Sequence, residues 1–398
     1  MRSSSHISLG DSIVIKYCSI CLLPSTKPDL RFDNRGVCSA CNAYANRDEV
    51  DWVARRKEFD LIVSKFRSKS ATKWDCIIPV SGGKDSTAQV LKILEVGLHP
   101  LCVTSTTCDL SQIGRNNIEN IKNLGVDLVE FSPNPVIRRK LNKIGLEVVG
   151  DIAWPEHVGI FTIPVRAAVE FKVPLIIWGE NSQNEYGGPA SAQSSQYLNR
   201  RWLEEFGGML GLRVSDLHTN HGFQEKDLIP YTYPSDNELK DAGVTGLFLG
   251  HYFPWDGLSN YLLAQANGFE SFGSVIEGSI VDYENLDNYQ HGIHDYFKFL
   301  KFGFGRATDI ASLHVRRGRL TRQQAQQTVK RNDGKYPWTY LRKPLDQILN
   351  RIDVSIREFD EICERFTNKD LFLKDKDGML IRDPSNSLVK VNYENSEE

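Results

Sequence analysis

The sequence predicts a doubly wound α/β fold, in which helices cover both faces of a mostly parallel sheet. Short apolar runs alternate with stretches of helical periodicity between residues 75 and 178, an order that is typical of parallel sheets. The runs are apolar at nearly every position, as in Asp75–Val80, which indicates strands that are buried on both faces. A glycine pair joins this first run to the first helical stretch.

Four strands and four helices follow from these patterns. The strands are predicted at residues 75–80, 101–106, 126–131 and 174–178, and the helices at 86–96, 116–124, 135–148 and 161–171. Gly97 and Gly125 follow the first two helical stretches, where glycine commonly ends a helix. Right-handed crossovers bring the carboxyl ends of parallel strands to one edge of the sheet, and that edge is the expected site of function.

The flanking segments predict smaller parts. Residues 18–45 form a compact cysteine knuckle, and residues 51–67 have the apolar spacing of an amphipathic helix. Residues 182–199 are rich in Ser, Gln, Asn and Gly and predict a long loop, which is either a lid over a site or a disordered stretch. Two later helices are expected at 321–331 and 344–366. The chain is therefore divided into a knuckle segment (1–50), an α/β domain (51–250) and a helical C-terminal region (251–398).

Composition limits the class of protein. The 398 residues carry a net charge of -3 and are 40% hydrophobic, which is ordinary for a globular protein and provides no overall basic field to hold nucleic acid. No segment approaches the roughly 20 apolar residues of a membrane span. The apolar piece Ile13–Ile15 is too short for a signal peptide. We therefore expect a cytoplasmic protein.

The most informative segment follows the first strand and opens the first helix. Helix N-termini attract anions through free N–H groups and the helix dipole, and Gly82 and Gly83 let the backbone approach a phosphate closely. Lys84 supplies a positive charge and Asp85 could hold Mg²⁺. The spacing from glycine to lysine is too short for a Walker A loop. The candidate cofactor-binding residues here are Ser81, Gly82, Gly83, Lys84, Asp85, Ser86 and Thr87.

The sequence Ser-Gly-Gly-Lys-Asp-Ser resembles the pyrophosphate (PP) loop of the adenine-nucleotide α-hydrolase superfamily, which includes asparagine synthetase and GMP synthetase. The resemblance implies a Rossmann-like PP-loop ATP pyrophosphatase domain over residues 51–250. It also implies that the loop grips the pyrophosphate that ATP loses while a substrate oxygen is adenylated, with Lys84 and Asp85 as catalytic residues.

Other candidate site residues lie at the ends of predicted strands. Thr104 and Ser105 end the second strand and are candidates for a wall of the adenosine site, with an ordinary Thr-rich strand as the alternative. Glu180 and Asn181 end the fourth strand, at the ligand edge of such a sheet. Glu180 could orient ammonia, accept its proton or help to hold Mg²⁺, and a capping carboxylate is the alternative.

A basic stretch surrounds a glycine-rich turn near residue 303. Lys301 and Arg306 are candidates for contacts with the phosphates of ATP or of a nucleotide-linked substrate. A solvated surface is the usual explanation of such a run of charge, and the sequence leaves both interpretations open.

The cysteine pattern predicts a structural metal site. Cys18-x-x-Cys21 and Cys38-x-x-Cys41 are separated by sixteen residues, and two such pairs typically meet at one tetrahedral Zn²⁺. An iron–sulfur cluster could use the same thiolates. We therefore predict a zinc ribbon over residues 1–50.

Two histidine pairs have spacings that could also serve a metal. These are His218-x-x-His221 and His291-x-x-His294. Because the sequence offers neither pair a clear third ligand, structural or solvent-exposed histidines are the favoured interpretation.

Nearly the whole chain resembles the N-acetyl sugar amidotransferases of bacterial surface-polysaccharide synthesis. The matching motifs are the four-cysteine knuckle, the Ser81–Ser86 loop, Trp178-Gly179-Glu180-Asn181, Asn184-Glu185-Tyr186-Gly187 and Lys301-Phe302-Gly303-Phe304-Gly305-Arg306. The resemblance implies that an acetamido group on a nucleotide-activated sugar becomes an acetamidino group, in O-antigen or lipopolysaccharide synthesis. ATP, Mg²⁺ and Zn²⁺ are the implied cofactors, and Gly179 joins the cofactor-binding residues.

Partners follow from the same resemblance. Met1-Arg2 excludes an N-terminal cysteine nucleophile in the sequence as given, and no other cysteine lies in a convincing glutaminase site. The resemblance implies a separate glutaminase subunit, together with a cyclase-like synthase subunit that conducts ammonia. The main alternative is a tRNA-thiolating PP-loop enzyme, which also joins zinc knuckles to this loop. Isolated cysteines and the net charge of -3 weigh against it.

Overall fold

The protein is described by a computed structural model that covers residues 15–67, 73–180, 197–198 and 210–391. Its centre is a six-stranded sheet in the order β3-β2-β1-β4-β6-β5. Five of these strands are parallel and the edge strand β5 is antiparallel to β6. The sheet strands are β1 (Cys76–Pro79), β2 (Pro100–Ser105), β3 (Asp127–Phe131), β4 (Leu175–Trp178), β5 (Tyr197–Leu198) and β6 (Thr245–Phe248), and β7 (Thr339–Tyr340) and β8 (Lys343–Pro344) form a separate hairpin.

The helices surround this sheet and build the C-terminal region. The α-helices of the sheet region are α1 (Ser39–Ala45), α2 (Trp52–Phe66), α3 (Lys84–Glu95), α4 (Gln112–Asn123), α5 (Pro135–Ile144), α6 (Trp154–Glu170), α7 (Val214–His221), α8 (Glu225–Leu228) and α9 (Asp236–Ala242). Those that follow are α10 (Gly257–Gln265), α11 (His291–Phe302), α12 (Arg306–Arg316), α13 (Arg322–Asn332), α14 (Leu345–Asn350) and α15 (Ile356–Phe366). The short helical turns are Asn46–Glu49, Gly145–Val149, Ile229–Tyr231, Leu249–His251 and Lys369–Leu371.

The predicted α/β sheet is confirmed in its main features. All four predicted strands are present within one or two residues of their expected bounds, and helices flank them. The fifth parallel strand, β6, was not predicted, because Gly246 interrupts a short apolar run that follows a long stretch without a clear pattern. It pairs with β4 from Leu175 opposite Thr245 to Trp178 opposite Phe248.

Three predicted helix boundaries were wrong for local reasons. Helix α4 begins at Gln112, because the Ser111 hydroxyl caps its first turn by accepting from the Gly114 N–H at 2.9 Å. Helix α6 begins at Trp154, before the predicted start, and continues past Pro164. The single helix predicted at 344–366 is divided into α14 and α15 by a turn in which Asp353 has φ +53°. Of the predicted loop at 182–199, only Tyr197–Leu198 lies within the described residues.

Alternating side chains of the buried strands fill two layers. On one face of the sheet, Ile78 and the residues of the other strands that point the same way pack against α2, α3 and α4. Val90 and Ile93 are among the residues that they contact. On the other face, Ile77 and the strand residues that point the same way pack against residues of α6 such as Ile163. Because both faces are covered, the strands are apolar at nearly every position, which is the pattern from which they were predicted.

The cysteine knuckle packs on the C-terminal helices. Leu22 lies against Ala307 and Ala311 of α12 and Ala325 of α13, and its N–H donates to the Ser312 hydroxyl at 3.2 Å. A separate large core, rich in aromatic residues, includes α11 and α15. Within the described ranges, no helix is long and apolar enough to cross a bilayer.

The turn after β1 depends on glycine at position 82. Gly82 has φ +80°, and a Cβ there would lie 2.8 Å from the Ile118 backbone nitrogen of α4. Gly125 provides a matched control, because it has φ +85° with open space around it. We expect Gly125→Ala to cost roughly 1 kcal/mol from φ alone, and Gly82→Ala to cost about 1–3 kcal/mol more in urea unfolding. Equal losses of unfolding free energy for the two variants would show that the Gly82 turn does not pack tightly against α4.

Candidate functional site

The loop that follows β1 forms a tight turn into α3. Gly83 is the N-cap residue of α3, and no side chain caps this first turn. The Gly83 N–H donates to the Ser81 hydroxyl at 3.3 Å, while the hydroxyls of Ser86 and Thr87 each donate to the Gly83 carbonyl at 3.0 Å. These two hydroxyls therefore hold the turn closed, and the backbone N–H groups of the first turn of α3 remain as donors for an anion.

Lys84 is buried at the start of α3 between two carboxylates. Its side chain is 5% exposed, and Nζ lies 2.5 Å from Asp85 Oδ2 and 2.7 Å from Glu284 Oε1. Burial lowers the pKa of the Lys84 ammonium, but the charges of Asp85 and Glu284 outweigh burial and raise that pKa above its usual value. Lys84 is therefore positively charged throughout the physiological pH range.

A cavity of about 120 Å³ opens beside this ammonium group. The loop from Ser81 to Ser86 forms one wall, the residues Gly114 and Asn117 of α4 form another, and the segment from Tyr283 to Asp287 forms the third. Phe269 completes the lining. Backbone donors, an ammonium group and carboxylates thus surround one polar space, which suits a polyphosphate with a divalent cation.

Two acidic residues of this cavity were missed by the sequence analysis. Glu284 contacts Lys84 directly, and Asp287 lines the cavity while accepting from His291 Nε2 at 3.2 Å. Both belong to a loop about 200 residues after the glycine turn, so no local spacing connects them to Lys84. The only sequence signal is the run of acidic and amide residues between 282 and 288.

Helix α10 contacts the second oxygen of the Asp85 carboxylate, the one that does not pair with Lys84. Asn260, which is 1% exposed, donates from Nδ2 to Asp85 Oδ1 at 2.8 Å and accepts from Lys92 Nζ at 3.3 Å. At the start of α10, Asp256 pairs with Arg317 at 2.9 Å and Arg319 at 2.8 Å. Burial raises the pKa of Asp256, but the hydrogen bonds from Arg319 and Ser259 and the charge of Arg317 lower it to about 2.

The strand ends contribute polar groups along the same edge of the sheet. Thr104 is buried, and the Ser105 hydroxyl has no hydrogen-bond partner among the described residues. Gly179 follows β4, and a Cβ there would lie 3.0 Å from the Trp255 ring, so a larger residue would require that ring to shift. Glu180 is half-buried just beyond it, and Asn181 lies outside the described residues.

The two basic candidates of the glycine-rich turn lie outside the cavity. Lys301 Nζ donates to the carbonyls of Val149 and Gly150 at 2.7 and 3.0 Å. Arg306 pairs with Asp295 at 3.1 Å and lines a second cavity of about 180 Å³, bounded by Tyr340 among others. The structure therefore gathers the glycine loop and Asp85 around one cavity but does not bring Lys301 and Arg306 to it.

The four knuckle cysteines form a separate, closed cluster. Cys18, Cys21, Cys38 and Cys41 are all buried, with sulfur separations of 3.8 Å for Cys18–Cys41 and 3.7 Å for Cys21–Cys38. A tetrahedron of sulfurs around Zn²⁺ at ~2.3 Å has edges of about 3.8 Å. The Cys38 N–H donates to Cys18 Sγ at 3.3 Å, which favours a thiolate. The cluster could therefore bind zinc, with no ligand position left for chemistry.

We expect the cysteine cluster to hold one equivalent of zinc that stabilises the knuckle. Cys41→Ser should lose that metal and lower the melting temperature, because the knuckle has a small core of its own. Metal analysis and thermal unfolding would measure both effects. Cys108→Ser is the matched control, since Cys108 lies outside the cluster. Retention of the full metal content by Cys41→Ser would contradict the assignment.

The Asp256 ion pairs predict a pH-dependent contribution to stability. The pKa of this carboxyl is lowered to about 2 in the folded protein, against roughly 3.9 in an unfolded chain. Its stabilisation is therefore complete above pH of about 4 and is lost as the pH falls through about 2. We expect Asp256→Asn to destabilise by about 2 kcal/mol at pH 7, with the difference shrinking toward pH 2.

Urea unfolding at several pH values would measure this difference. Asp60→Asn is the control, because the Asp60–Arg56 pair is half-exposed and should contribute little. A difference for Asp256→Asn that does not change with pH would exclude the ionised carboxylate as its source.

Comparison with known proteins gives a partial family match. Residues 269–383, less than a third of the chain, match the family described as "LPS biosynthesis protein WbpG-like, C-terminal domain". This segment includes Glu284 and Asp287 of the cavity wall. No curated protein matches the chain.

Among solved structures, the chain is similar to NMN synthetase from Francisella tularensis. The identity is 10%, the TM-score is 0.22, and the alignment covers 53% of this chain and 95% of that chain. At this score, the likeness carries no weight for the fold or the function.

Proposed function

We propose that this protein is an ATP-dependent amidotransferase that acts on a nucleotide-activated sugar. It adenylates the acetamido oxygen of the sugar, replaces that oxygen with ammonia and releases AMP and pyrophosphate. The product carries an acetamidino group, as expected in the synthesis of O-antigen or a related surface glycan. The observation that carries the proposal is the buried Lys84 ammonium beside the Gly82–Gly83 turn, with Asp85 and Glu284 in contact.

The loop geometry supports binding of the β- and γ-phosphates of ATP. The N–H groups at the start of α3 and the Lys84 ammonium supply positive charge at one wall of the cavity. Asp85 and Glu284 supply the oxygen ligands that Mg²⁺ prefers. Adenosine would then lie toward the ends of β2 and β4, where Thr104, Ser105 and Gly179 are found.

The chemistry requires activation, because an amide carbonyl is a poor electrophile and oxide is a poor leaving group. The carbonyl oxygen attacks the α-phosphorus of ATP, and the bond to pyrophosphate breaks. Ammonia then adds to the imidate carbon and loses one proton, and AMP departs with the electrons of the C–O bond. Stabilising the charge on the departing pyrophosphate is the role proposed for Lys84, and Glu180 is the proposed proton acceptor.

The partial family match supports the biological setting. The matched segment, 269–383, belongs by its description to lipopolysaccharide biosynthesis. It supplies Glu284 to the cavity that the glycine loop also lines, so the matched segment and the loop meet at one place. We therefore place the sugar substrate on this side of the cavity.

The state of the cysteines supports an external source of ammonia. Burial raises the pKa of Cys76, Cys102 and Cys363. Burial also raises the pKa of Cys108, although Arg351 opposes it. Thiols with raised pKa are poor nucleophiles, which weighs against glutamine hydrolysis and against tRNA thiolation. A glutaminase subunit, with a cyclase-like synthase subunit, is therefore the proposed source of ammonia.

The direct test combines the protein with ATP-Mg²⁺, ammonium and a panel of UDP- and CMP-linked acetamido sugars. We expect AMP and pyrophosphate together with a sugar product that is lighter by about one mass unit, because NH replaces O. Formation of ADP, or of AMP without any change in sugar mass, would refute the proposed reaction. Robust turnover with glutamine as the nitrogen source for the purified chain alone would refute the partner proposal.

The role of Lys84 is tested by substitution with alanine. We expect Lys84→Ala to reduce AMP formation by at least roughly 100-fold, because the charge on pyrophosphate would lose its partner. The single variant also leaves Asp85 and Glu284 facing each other, so its stability should fall. The double variant Lys84→Ala/Glu284→Gln removes one of these charges and should recover stability without recovering activity.

Lys122→Ala is the matched control for a lysine substitution. Lys122 is 42% exposed and pairs with Glu119 and Glu130 on the outside of the sheet. It should keep full activity. If Lys84→Ala remained active, the glycine turn would not be the site of the proposed reaction.

A further inference from the structure

Three metal-ligating side chains converge away from the loop cavity. Asp151 precedes α6, His157 lies in the first turn of α6, and His294 lies in the first turn of α11. Asp151 Oδ2 is 3.0 Å from His157 Nδ1, and Asp151 Oδ1 is 2.8 Å from His294 Nδ1. The two imidazole rings are nearly perpendicular, with centroids 4.9 Å apart.

This arrangement combines a buried charge with accessible nitrogen ligands. The Asp151 side chain is 3% exposed, whereas each histidine is about one-quarter exposed. Only the fold brings the cluster together, since His294 lies 143 residues after Asp151 in the sequence.

We propose that Asp151, His157 and His294 bind one divalent first-row transition metal ion. Two imidazoles and one carboxylate are typical ligands for such ions. Ligands at right angles around an ion at ~2.1 Å lie about 3.0 Å apart, which is close to the observed separations of 2.8 and 3.0 Å. Three protein ligands leave an open position, so the ion can also hold water or a ligand oxygen.

The helix that carries His157 also contacts the end of β2. Glu156, next to His157, accepts from the Cys108 N–H just beyond β2 at 3.3 Å. Gly159, two residues further along α6, lies so close to β2 that a Cβ would be 2.8 Å from Ser105 Oγ. The site does not depend on the proposed function.

The alternative is a purely structural role. Asp151 Oδ1 also accepts from the Ala153 N–H at 2.9 Å, in the turn just before α6. The two histidines would then only tie α6 and α11 together through ion pairs. This alternative requires no metal, and metal content distinguishes it from the proposal.

The test uses the full chain, stripped of metal and reloaded first with one equivalent of Zn²⁺ for the cysteine cluster. Co²⁺ is then added. We expect a second equivalent to bind with weak visible bands and without the intense sulfur-to-cobalt charge-transfer band of a thiolate site. His157→Gln and His294→Gln should each lose this equivalent and keep the zinc.

His291→Gln is the matched control. His291 lies on the same helix, α11, but pairs with Asp287 rather than Asp151. It should bind the second equivalent as the wild type does. Absence of Co²⁺ binding by the zinc-loaded wild type would overturn the proposal even if the variants fail to fold. Undiminished Co²⁺ binding by folded His157→Gln and His294→Gln would overturn it as well.

Discussion

A buried ammonium group is stable only where carboxylates lie close to it, and this requirement organises the candidate site. Lys84 meets it with Asp85, its neighbour in sequence, and Glu284, which comes from a distant loop. The glycine turn, α10 and the 283–287 wall must therefore assemble together before the charge is satisfied. A break in any of these contacts leaves a charge buried without its partner, which costs several kcal/mol.

A series of contacts connects this charge cluster to the cysteine knuckle. The knuckle packs through Leu22 on α12, and Arg317, which follows α12, pairs with Asp256 at the start of α10. Helix α10 then holds Asp85 through Asn260. The knuckle thus supports the phosphate loop indirectly, through a short series of packed side chains and ion pairs, although none of its own residues lines the cavity.

The sequence carries local information well, and both the fold and the loop were predictable for that reason. Apolar runs identified the four strands, and the glycine pair identified the turn into α3, because each depends on neighbouring residues. Glu284 and the grouping of Asp151 with His294 could not be found in this way, since each brings together residues more than 100 positions apart. The absent third ligand had favoured a structural interpretation of the His291-x-x-His294 pair, and only the fold places Asp151 beside it.

The ion pairs of Lys84 also bear on which form of a nucleotide the cavity would admit. The lysine charge is already neutralised by these pairs, so an uncomplexed polyanion gains little and meets two repelling carboxylates. A nucleotide that arrives with its own cation offers Asp85 and Glu284 a new partner and frees the ammonium group for phosphate. Selectivity for the metal complex over the bare anion would then be built into these ion pairs, before any contact with the base or the sugar.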